Sequence, residues 1–383
     1  MKRVNQVRIL HIMSSYGGGI STFIHNLATE MSKYHIVFDV VTYSDCPEHF
    51  VKAIRQTGGD VYQLKNPKKS GWSAFKHSIS RVLKLYDYQV VHCHITGYRA
   101  GIYWSMVRRF SPQSKFVIHA HYIATMPEHP VKRIGYFMTQ QLNRSLSDLY
   151  VGCSYQAIES IFGYQVSKSQ GIIIPNSIDE SKFLYSKEQY QTLREQWRGY
   201  FDIESDQYVT GQIGRLAKIK NHKLTLQIAQ LAKEKHLPYR FIFFGQGPME
   251  SELKMMIEEY QLEKIVILAG RYEQMDQIFP MLDATILPSF NEGLGTVAIE
   301  SQAGGIPVVL SENVPAEADL GMGLVYRQNL TAPIEFWLES LQTAMTHQPV
   351  PVEERSYALT RSKYTNHQAA RVYASSIAGV IKI

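Results

Sequence analysis

The chain has 383 residues, of which 45% are hydrophobic and 19% are charged, a composition that supplies buried cores for two domains and argues against disorder. No apolar run reaches the length of a membrane span, and the apolar stretch near the N-terminus is too short for a secretory signal. The three cysteines, Cys46, Cys93 and Cys153, are far apart. They predict a reducing cytoplasm, and neither a disulfide framework nor a thiolate metal site.

The charge is uneven along the chain. Residues 1–178 carry 20 Lys+Arg against 9 Asp+Glu, a balance of +11, whereas the remainder carries 20 against 25, a balance of −5. A basic N-terminal half indicates an anionic partner, which could be membrane lipid, an acidic acceptor or nucleic acid. The sequence has no zinc-finger, RRM or helix-turn-helix signature, which argues against nucleic acid.

Strand patterns alternate with helical periodicity along the whole chain. The predicted strands are Gln6–Met13, His35–Tyr43, Asp60–Leu64, Gln89–Cys93, Ser114–His119, Leu149–Val151, Gly171–Ile174, Tyr208–Ile213, Tyr239–Phe244, Lys264–Leu268, Thr285–Leu287, Pro307–Leu310 and Gly323–Tyr326. This alternation predicts an α/β fold of two Rossmann-like, doubly wound domains with parallel sheets. Ligands of such sheets bind beyond the carboxyl ends of the strands, and therefore in a cleft between the two domains.

A break at Pro175–Asp179 predicts domains over residues 1–178 and 179–360, with a helical connector at Glu180–Arg198. We expect the last segment, residues 361–383, to pack back on the N-terminal domain through a helix over Asn366–Val380.

Three glycines, Gly17 to Gly19, follow the first strand and precede a helix expected from about Ile20 to Lys33. Such a turn lets backbone N–H groups approach a ligand at a helix N-terminus. The spacing is not that of the dinucleotide fingerprint. Glycines in a tight strand-to-helix turn are the alternative explanation.

Glycines and cations follow the strands of the second half. Gly214, Arg215 and Lys220 follow one strand, Gly245 follows the next, and Gly270 the one after. Arg215 and Lys220 could clamp a diphosphate, because arginine offers a fork of donors and lysine a point charge. A solvated basic loop is the alternative, but it explains the recurrence at successive strand ends poorly.

The stretch Thr285–Val309 has the pattern of strand, loop, helix, turn and strand. Glu292 lies on the loop, and Glu300 lies just over one turn into the helix predicted over Thr296–Ala303. The loop amides of residues 293–295 lie at a helix N-terminus, where an anion is favoured. The segment therefore offers an anion cradle and two acceptors for hydroxyl groups, as a sugar-phosphate ligand requires. A capping acid and a surface acid are the alternative.

Two His-x-His pairs, His92 with His94 and His119 with His121, lie at strand ends of the first half. Strand positions i and i+2 share a side, which raises the hypothesis of a metal site. No carboxylate or thiolate evidently completes such a site, so metal binding is not favoured. A cleft-facing His119 that hydrogen-bonds a substrate hydroxyl fits better.

Three segments of the first half are basic and amphipathic, at residues 72–84, 102–110 and 130–146. Ordinary helices packed on a sheet have the same pattern. Together with the balance of +11, they raise the hypothesis of peripheral contact with an anionic membrane.

Taken in order, these motifs resemble those of the retaining GT-B glycosyltransferases of family four, especially bacterial capsule and exopolysaccharide enzymes. The resemblance covers nearly the whole chain, and the order and spacing of the motifs make it specific. The motifs are Tyr16-Gly-Gly-Gly-Ile-Ser-Thr-Phe, Val91-His-Cys-His, Ile118-His-Ala-His, Ile174-Pro-Asn-Ser-Ile-Asp, Gly214-Arg-Leu-Ala-Lys-Ile-Lys-Asn-His, Phe244-Gly-Gln-Gly-Pro, and the stretch from Pro288 to Gly305 with its two glutamates.

The resemblance implies that Glu292 contacts the transferred sugar and that Glu300 holds the nucleotide ribose. It implies that Arg215 and Lys220 clamp the diphosphate and stabilise the leaving group, and that His119 contacts the sugar from across the cleft. Glu292, His119, Arg215 and Lys220 are thus the expected catalytic residues. The other donor-binding positions that it implies are Gly18, Gly19, Gly214, Gly245, Gly293, Leu294, Gly295 and Thr296.

The resemblance also implies the reaction: transfer of a hexose or N-acetylhexosamine from a nucleotide diphosphate sugar, in the first place a UDP-sugar, to a lipid-linked or surface glycan with retention of configuration. Residues 1–178 would bind the acceptor and residues 179–360 the donor. The enzyme would act in the cytoplasm or on the inner face of the membrane, with no cofactor and no essential metal. Two alternatives stay open, a UDP-sugar epimerase of the same fold and a non-catalytic subunit that binds glycan or a partner.

Overall fold

The structure is a computed structural model, and it describes residues 6–379 apart from residue 273. Its strands are β1 Val7–Ile12, β2 Ile36–Thr42, β3 Val61–Gln63, β4 Val90–Cys93, β5 Lys115–Ala120, β6 Leu149–Gly152, β7 Gly171–Ile173, β8 Tyr208–Ile213, β9 Tyr239–Phe244, β10 Val266–Gly270, β11 Ala284–Leu287, β12 Val308–Ser311 and β13 Val325–Gln328. All thirteen predicted strands are confirmed to within two residues at either end.

Helices connect the strands. They are α1 Gly19–Met31, α2 Glu48–Gln56, α3 Pro67–Leu83, α4 Tyr98–Phe110, α5 Pro130–Leu146, α6 Tyr155–Phe162, α7 Tyr164–Ser169, α8 Lys187–Tyr200, α9 His222–Glu234, α10 Glu250–Glu259, α11 Met275–Ile278, α12 Thr296–Ala303, α13 Ile334–Met345, α14 Val352–Ser362 and α15 Asn366–Ser376. The predicted end of the last helix at Val380 lies outside the described residues. Among the described helices, none is both long enough and apolar enough to cross a membrane.

The strands form two wholly parallel sheets, which confirms the predicted doubly wound α/β fold. The first has the order β3-β2-β1-β4-β5-β6-β7 and the second the order β10-β9-β8-β11-β12-β13. Strand order reverses direction between β1 and β4 in one sheet, and between β8 and β11 in the other. Ligands of open parallel sheets bind at such switch points, beyond the carboxyl ends of the strands.

The strand sequences explain their positions in the sheets. All seven residues of β2 are buried, as expected for a nearly continuous apolar run that is covered on both faces. The outermost strands β3 and β13 are only partly buried. Their length of three and four residues limits the exposed sheet edge.

The chain divides into two compact units. Unit 1 contains the residues up to Ile178 together with those from Lys363 onwards, and unit 2 is Asp179–Ser362. The core of unit 1 includes residues of α15, with Ala369, Ala370, Tyr373, Ala374 and Ile377 buried in the same cluster as Ile9, Phe23 and Phe38. The core of unit 2 includes Leu226, Phe241, Ile286 and Trp337.

The predicted connector helix over Glu180–Arg198 is wrong at its start. Residues Glu180–Lys182 form a single 3-10 turn, and the α-helix begins at Lys187. A capping box fixes that start, because the Ser186 hydroxyl accepts from the Gln189 amide and the Gln189 side chain accepts from the Ser186 amide.

Candidate active site

In unit 2, the turn after β8 and the loop after β11 meet at Lys220 and Glu292. Lys220 Nζ lies 2.5 Å from Glu292 Oε1, and the Ser289 hydroxyl donates to the same oxygen at 2.6 Å. The two charged side chains are 20% and 11% exposed. The carboxylate and the ammonium are therefore held in place while each keeps a face open to a ligand.

The backbone around this pair explains why Lys220 lies there. Gln212 Nε2 donates to the Lys220 carbonyl at 2.8 Å, and the Phe290 amide donates to the Ile219 carbonyl at 2.9 Å. The Lys220 side chain passes directly over Gly214, where a Cβ atom would lie 3.4 Å from Lys220 Cε. These contacts join the end of β8 to the loop that carries Glu292.

Two strand ends approach each other more closely than side chains allow. A Cβ atom at Gly245 would lie 1.9 Å from the Gly214 carbonyl oxygen, and Gly245 has φ 148°. Any larger residue at Gly245 would push β8 and β9 apart at their carboxyl ends. The glycines that the sequence places after these strands therefore have a steric reason.

Arg215 follows Gly214 and is exposed. Among the described residues, its guanidinium has no hydrogen-bond or ion-pair partner. It is the first cation after β8, and its fork of donors is available to an anion.

The N-terminus of α12 has no side-chain cap. Gly295 precedes the helix with φ 83°, and a Cβ atom there would lie 2.8 Å from Val314 Cγ1. Leu294 is 2% exposed, so it anchors the loop in the core and offers only its backbone to a ligand. The first amides of α12, from Thr296 onwards, lie where an anion is favoured by the helix dipole.

Glu300 lies on α12 one turn after Thr296, and it is partly accessible at the protein surface. Desolvation by the atoms around its carboxyl group, and secondarily the charge of Asp276, raise the pKa of Glu300 to about 7. Tyr185 lies against the same region, where its hydroxyl donates to the Asp276 carbonyl oxygen. The carboxyl group thus exchanges its proton near neutral pH.

In unit 1, the glycine turn after β1 exposes backbone. Gly17 and Gly18 have φ 114° and 79°, and added Cβ atoms at either would meet no atom within 4 Å. Gly18 precedes α1 without a side-chain cap, and Gly19 lies near the Asn176 side chain. Ser21 fixes the turn, because the Gly17 amide donates to its hydroxyl at 3.0 Å and the hydroxyl donates to the Gly18 carbonyl at 2.9 Å.

Five histidines of unit 1 lie together beside this turn, and we call them the histidine cluster: His11, His92, His94, His119 and His121. They come from β1, β4, β5 and the residues that directly follow the last two strands. His92 and His94 have ring centroids 4.5 Å apart, and His119 and His121 have centroids 3.9 Å apart, so each His-x-His pair shares one side of the sheet.

The cluster is linked by hydrogen bonds. His94 contacts His121 at 2.7 Å and His11 at 2.9 Å, while the Tyr373 hydroxyl contacts His92 at 2.9 Å and His11 at 3.4 Å. One set of neutral tautomers satisfies every contact: His121 donates to His94, His94 to His11, His11 to Tyr373, and Tyr373 to His92. The cluster is therefore consistent with wholly uncharged rings.

Burial favours the neutral rings as well. Desolvation, with smaller contributions from neighbouring histidines, lowers the pKa of His11 to about 3 and that of His92, His94 and His119 well below the usual range. Desolvation also lowers the pKa of His121 to about 3, and a smaller effect of a hydrogen bond with the Asn176 side chain raises it.

The same residues are those that could hold a metal ion. The triads His11, His92, His94 and His94, His119, His121 each bring ring nitrogens within 4.8 Å of one another. The first triad brings in His11, which the sequence pattern did not indicate, and neither triad has a carboxylate or a thiolate.

His119 is 1% exposed and lies beneath Phe23, with ring centroids 4.8 Å apart. Neither of its ring nitrogens has a hydrogen-bond partner among the described residues. His121, two residues further on, is partly exposed and nearer the surface. In this conformation the His119 ring faces the interior of unit 1, and its role toward a sugar stays a prediction.

Sequence reasoning missed several neighbours of the predicted residues. They are Ser289 beside Glu292, Tyr185 and Asp276 near Glu300, and His11 and Tyr373 in the histidine cluster. Ser289 precedes Glu292 by three residues and could have been found locally. The other four depend on strand register and on helix packing across long sequence separations.

Comparison with known proteins agrees with this architecture. The family model for Glycosyltransferase Family 4 matches residues 17–182, and the model for Glycosyl transferases group 1 matches residues 194–320. One relative is EpsF of Bacillus subtilis (strain 168), which is named as a glycosyltransferase. It is 26% identical to this chain over 344 residues, which span 89% of this chain and 88% of EpsF.

Two further relatives extend the comparison. The O-antigen biosynthesis glycosyltransferase WclY of Escherichia coli is 25% identical over 201 residues, 52% of this chain and 53% of WclY. The crystal structure of Anabaena Alr3699/HepE in complex with UDP and glucose matches with a TM-score of 0.76 at 15% identity, over 97% of this chain and all of that one. The structural likeness shows a shared GT-B fold. The chain is a glycosyltransferase and belongs to family four of the GT-B glycosyltransferases.

Proposed function

We propose that the protein transfers a hexose or N-acetylhexosamine from a UDP-sugar to a lipid-linked or surface glycan, with retention of configuration, in the synthesis of a cell-surface polysaccharide. The observation that carries the proposal is the ion pair between Lys220, in the turn after β8, and Glu292, on the loop that leads to the uncapped N-terminus of α12, with 2.5 Å between Nζ and Oε1. A cation, a carboxylate and open helix amides are what a sugar diphosphate needs. The UDP and glucose bound to HepE support a UDP-sugar as the donor. The description of WclY as an O-antigen biosynthesis glycosyltransferase supports a role in polysaccharide synthesis.

Each end of the donor has a matching group in the proposal. Arg215 and Lys220 bind the diphosphate, with the backbone at Gly214, Gly245 and residues 293–296 alongside. Glu292 accepts hydrogen bonds from the sugar hydroxyls, and Glu300 accepts them from the ribose. The ionised carboxylate of Glu300 offers both of its oxygens as acceptors to the ribose hydroxyls, and the raised pKa makes the fraction in this form depend on pH.

The proposed reaction has a complete balance of bonds. The bond between the anomeric carbon and the β-phosphate oxygen breaks, and the acceptor hydroxyl oxygen bonds to the same face of that carbon. The hydroxyl proton passes to the departing phosphate. Arg215 and Lys220 stabilise the charge that develops on the phosphate, so no cofactor, covalent nucleophile or essential metal is required.

Unit 1 supplies the acceptor side in this proposal. The exposed backbone at Gly18 and Gly19 lies at the switch point of its sheet, where a ligand is expected. His119 is assigned to sugar contact, and it requires a shift of the Phe23 ring or of the residues after β5 to reach a ligand. The enzyme works in the cytoplasm, on the inner face of the cell membrane.

A thermal-shift series with UDP-, GDP- and ADP-sugars tests the donor, because a ligand that binds the folded state raises its melting temperature. We expect stabilisation by a UDP-sugar, and no stabilisation by any of the three would contradict the proposal. The product formed with a glycan acceptor is then analysed by NMR for its anomeric configuration. An inverted product would overturn retention, and donor turnover without acceptor would favour an epimerase or hydrolase.

Turnover in the presence of a chelator tests the metal requirement. We expect the rate to be unchanged by EDTA, and a loss that Mg²⁺ or Zn²⁺ restores would contradict the metal-free reaction.

A further inference from the structure

The outer part of the histidine cluster has ring nitrogens that no group of the described chain satisfies. His119 is 1% exposed, and neither of its ring nitrogens has a hydrogen-bond partner among the described residues. The Nδ1 atom of His121 is buried and lacks such a partner as well. An unpaired buried polar atom costs free energy, so proteins normally supply it with a partner, a water molecule or a ligand. The orphaned nitrogens therefore point to a ligand at this place.

Three ring nitrogens of the outer cluster converge on one point. His94, His119 and His121 each offer one ring nitrogen, and the three atoms lie within 4.8 Å of one another. The closest two, His94 Nδ1 and His121 Nε2, are 2.7 Å apart. Nitrogens that surround a zinc ion tetrahedrally at about 2.05 Å lie about 3.3 Å from one another. Ring shifts of roughly 1 Å are therefore enough to direct all three lone pairs at one ion.

The hydrogen bonds of the cluster admit an ion without the loss of a proton. In the neutral tautomers given above, His121 donates to His94 from Nε2. Moving that proton to Nδ1 leaves Nε2 with a free lone pair, and the nearby Asn176 side chain has a buried Oδ1 without a partner in the described part of the chain. His94 keeps its proton on Nε2, 2.9 Å from His11 Nδ1. His94 Nδ1 and His121 Nε2 are then both free to bind a metal as neutral imidazoles.

The inner residues of the cluster orient the outer ligands. His11 accepts from His94 and lies 3.4 Å from the Tyr373 hydroxyl, which in turn lies 2.9 Å from His92 Nδ1. A hydrogen bond at the second ring nitrogen is how proteins fix the tautomer and direction of a metal-binding histidine. The inner triad of His11, His92 and His94 is less suitable, because these bonds already occupy its nitrogens and its residues are at most 5% exposed.

The outer triad has a route to solvent and one coordination position to spare. His121 is partly exposed, while the Phe23 ring covers the other side, with its centroid 4.8 Å from that of His119 and 5.1 Å from that of His121. Three neutral imidazoles leave the two positive charges of a divalent ion uncompensated. The fourth position therefore favours a small anion such as hydroxide or chloride.

The donor set selects the class of metal. Imidazole nitrogen suits zinc and its neighbours among the transition metals, whereas Mg²⁺ and Ca²⁺ prefer oxygen ligands, which the triad does not contain. Zinc also accepts three protein ligands with an open fourth position. The arrangement thus fits Zn²⁺ and excludes the alkaline-earth ions.

We propose that His94 Nδ1, His121 Nε2 and one ring nitrogen of His119 bind a zinc ion whose fourth position is open to a small anion. The ion is not required for sugar transfer. It withdraws His119 from the sugar contact that the proposed function gives to this residue, so zinc inhibits the enzyme. The inhibition rests on the proposed function, whereas the binding of the ion does not.

The first test is titration of the full chain, without an affinity tag and after removal of metals, with Co²⁺. We expect about one equivalent to bind with the intense visible absorption of four-coordinate cobalt, and Zn²⁺ but not excess Mg²⁺ to displace it. X-ray absorption of the zinc-loaded wild type should count three imidazole ligands. A weak six-coordinate cobalt spectrum, or fewer than three imidazoles on zinc, would overturn the site.

The second test uses a matched pair of histidine variants. His121→Ala removes a ligand and should weaken Co²⁺ binding by more than about 100-fold, since the loss of an outer-shell partner alone costs about 10–100-fold. His77→Ala, at an exposed histidine of α3, should leave the affinity unchanged. Equal weakening by both would assign the ion to surface histidines and overturn the proposal. Circular dichroism checks the fold of each variant, and the imidazole count on the wild type decides the question if His121→Ala does not fold.

Turnover gives a separate readout of the inhibition. With a UDP-sugar and an acceptor, Zn²⁺ should lower the rate of the wild type and EDTA should restore it. The rate of His121→Ala, relative to its own metal-free rate, should respond much less. A wild-type rate that is unchanged when zinc fills the site would overturn the inhibition. Cobalt binding by a protein that transfers no sugar would contradict the proposed function and leave the metal site standing.

Discussion

In unit 1 the strands β1, β4 and β5 lead into five histidines that are packed together, whereas in unit 2 the strands β8, β9 and β10 lead into glycines and cations. Both sheets are parallel and reverse their strand order at a switch point. Large rings fill the space beyond the first sheet and shield one another from water. Glycines beyond the second sheet leave the backbone bare and allow Lys220 to lie across it.

The difference shows that the same sheet topology can hold uncharged polar rings in one unit and charged side chains in the other. The histidine cluster is uncharged because burial disfavours the protonated ring. The charged groups around Lys220 are instead paired with one another or partly exposed to solvent. An anionic donor therefore has an electrostatic reason to bind to unit 2.

The largest expected effect tests whether the cation at Lys220 of unit 2 acts on the donor. Lys220→Ala should lower kcat/KM by about 10²–10³-fold, because it removes a preorganised cation from the leaving group and the partner of Glu292. The measurement is the initial rate with the UDP-sugar that gives the greatest thermal stabilisation.

The matched control is Lys218→Ala in the same 3-10 turn, where the exposed lysine should be replaceable with a change within about twofold. If both variants lost activity equally, the total charge of the turn would matter and the position of Lys220 would not.

The second prediction concerns pH and distinguishes the units. Unfolded histidines bind protons below about pH 6.5, whereas folded His11 and His121 stay neutral down to about pH 3. The cluster's contribution to the stability of unit 1 is therefore complete above pH 6.5 and is lost as the pH falls toward 3.

Unit 2 should respond less between pH 7 and pH 5. Among its described residues, His222 is the one histidine with a lowered pKa, to about 4. The pKa of Glu300 is raised instead, so this residue changes the stability of unit 2 with pH in the opposite direction. A glutamate with a raised pKa stabilises the folded state at low pH, and that contribution is lost as the pH rises through about 7. Urea unfolding can be followed by tryptophan fluorescence in variants that keep only Trp104, which reports unit 1, or only Trp337, which reports unit 2. Equal losses of unfolding free energy in the two units between pH 7 and pH 5 would contradict this prediction.

The third prediction tests the hydrogen bonds of the cluster. Tyr373→Phe should lower the unfolding free energy of unit 1 by about 1–2 kcal/mol, because it leaves the His92 ring nitrogen without the hydroxyl 2.9 Å away. Chemical denaturation measures the change. Tyr357→Phe, at a tyrosine that is 63% exposed, should have almost no effect.

The smallest expected effect concerns Glu300. Bound ribose hydroxyls favour the ionised carboxylate, so the pKa of Glu300 in the complex should fall below its value of about 7 in the free protein. Affinity for UDP should therefore rise with pH by up to about tenfold between pH 6 and pH 8, and then level off. Calorimetry should show proton release on binding, and Glu300→Gln should bind with no such release and no pH dependence.

The sequence was sufficient to predict the order of the elements and the glycines and cations that follow the strands of unit 2. Strand ends are marked by Gly214, Gly245 and Gly270, and the charged residues that follow lie within a few positions, so local spacing predicts their proximity. The contact between Lys220 and Glu292 joins residues 72 positions apart, and it follows from β8 and β11 being neighbours. That neighbour relation comes from the doubly wound topology.

The histidine cluster could be predicted only in part. Two pairs are visible because i and i+2 share a side of a strand. The addition of His11 depends on its register opposite His92, and that of Tyr373 on a helix 281 residues away. Burial also decides whether an amphipathic pattern faces the core or the solvent, which is why the segments of α3 and α5 looked alike in the sequence.

The place of α15 in unit 1 has a consequence for biosynthesis. When the last residue of unit 2 has just been added to the growing chain, Tyr373 and the buried alanines that complete the core of unit 1 have not yet been synthesised. Unit 2 is continuous in sequence and can fold once it has emerged, while the core of unit 1 still lacks α15. The first domain to be translated is thus the last to finish folding, and a nascent chain that stalls before α15 would present an open core to chaperones.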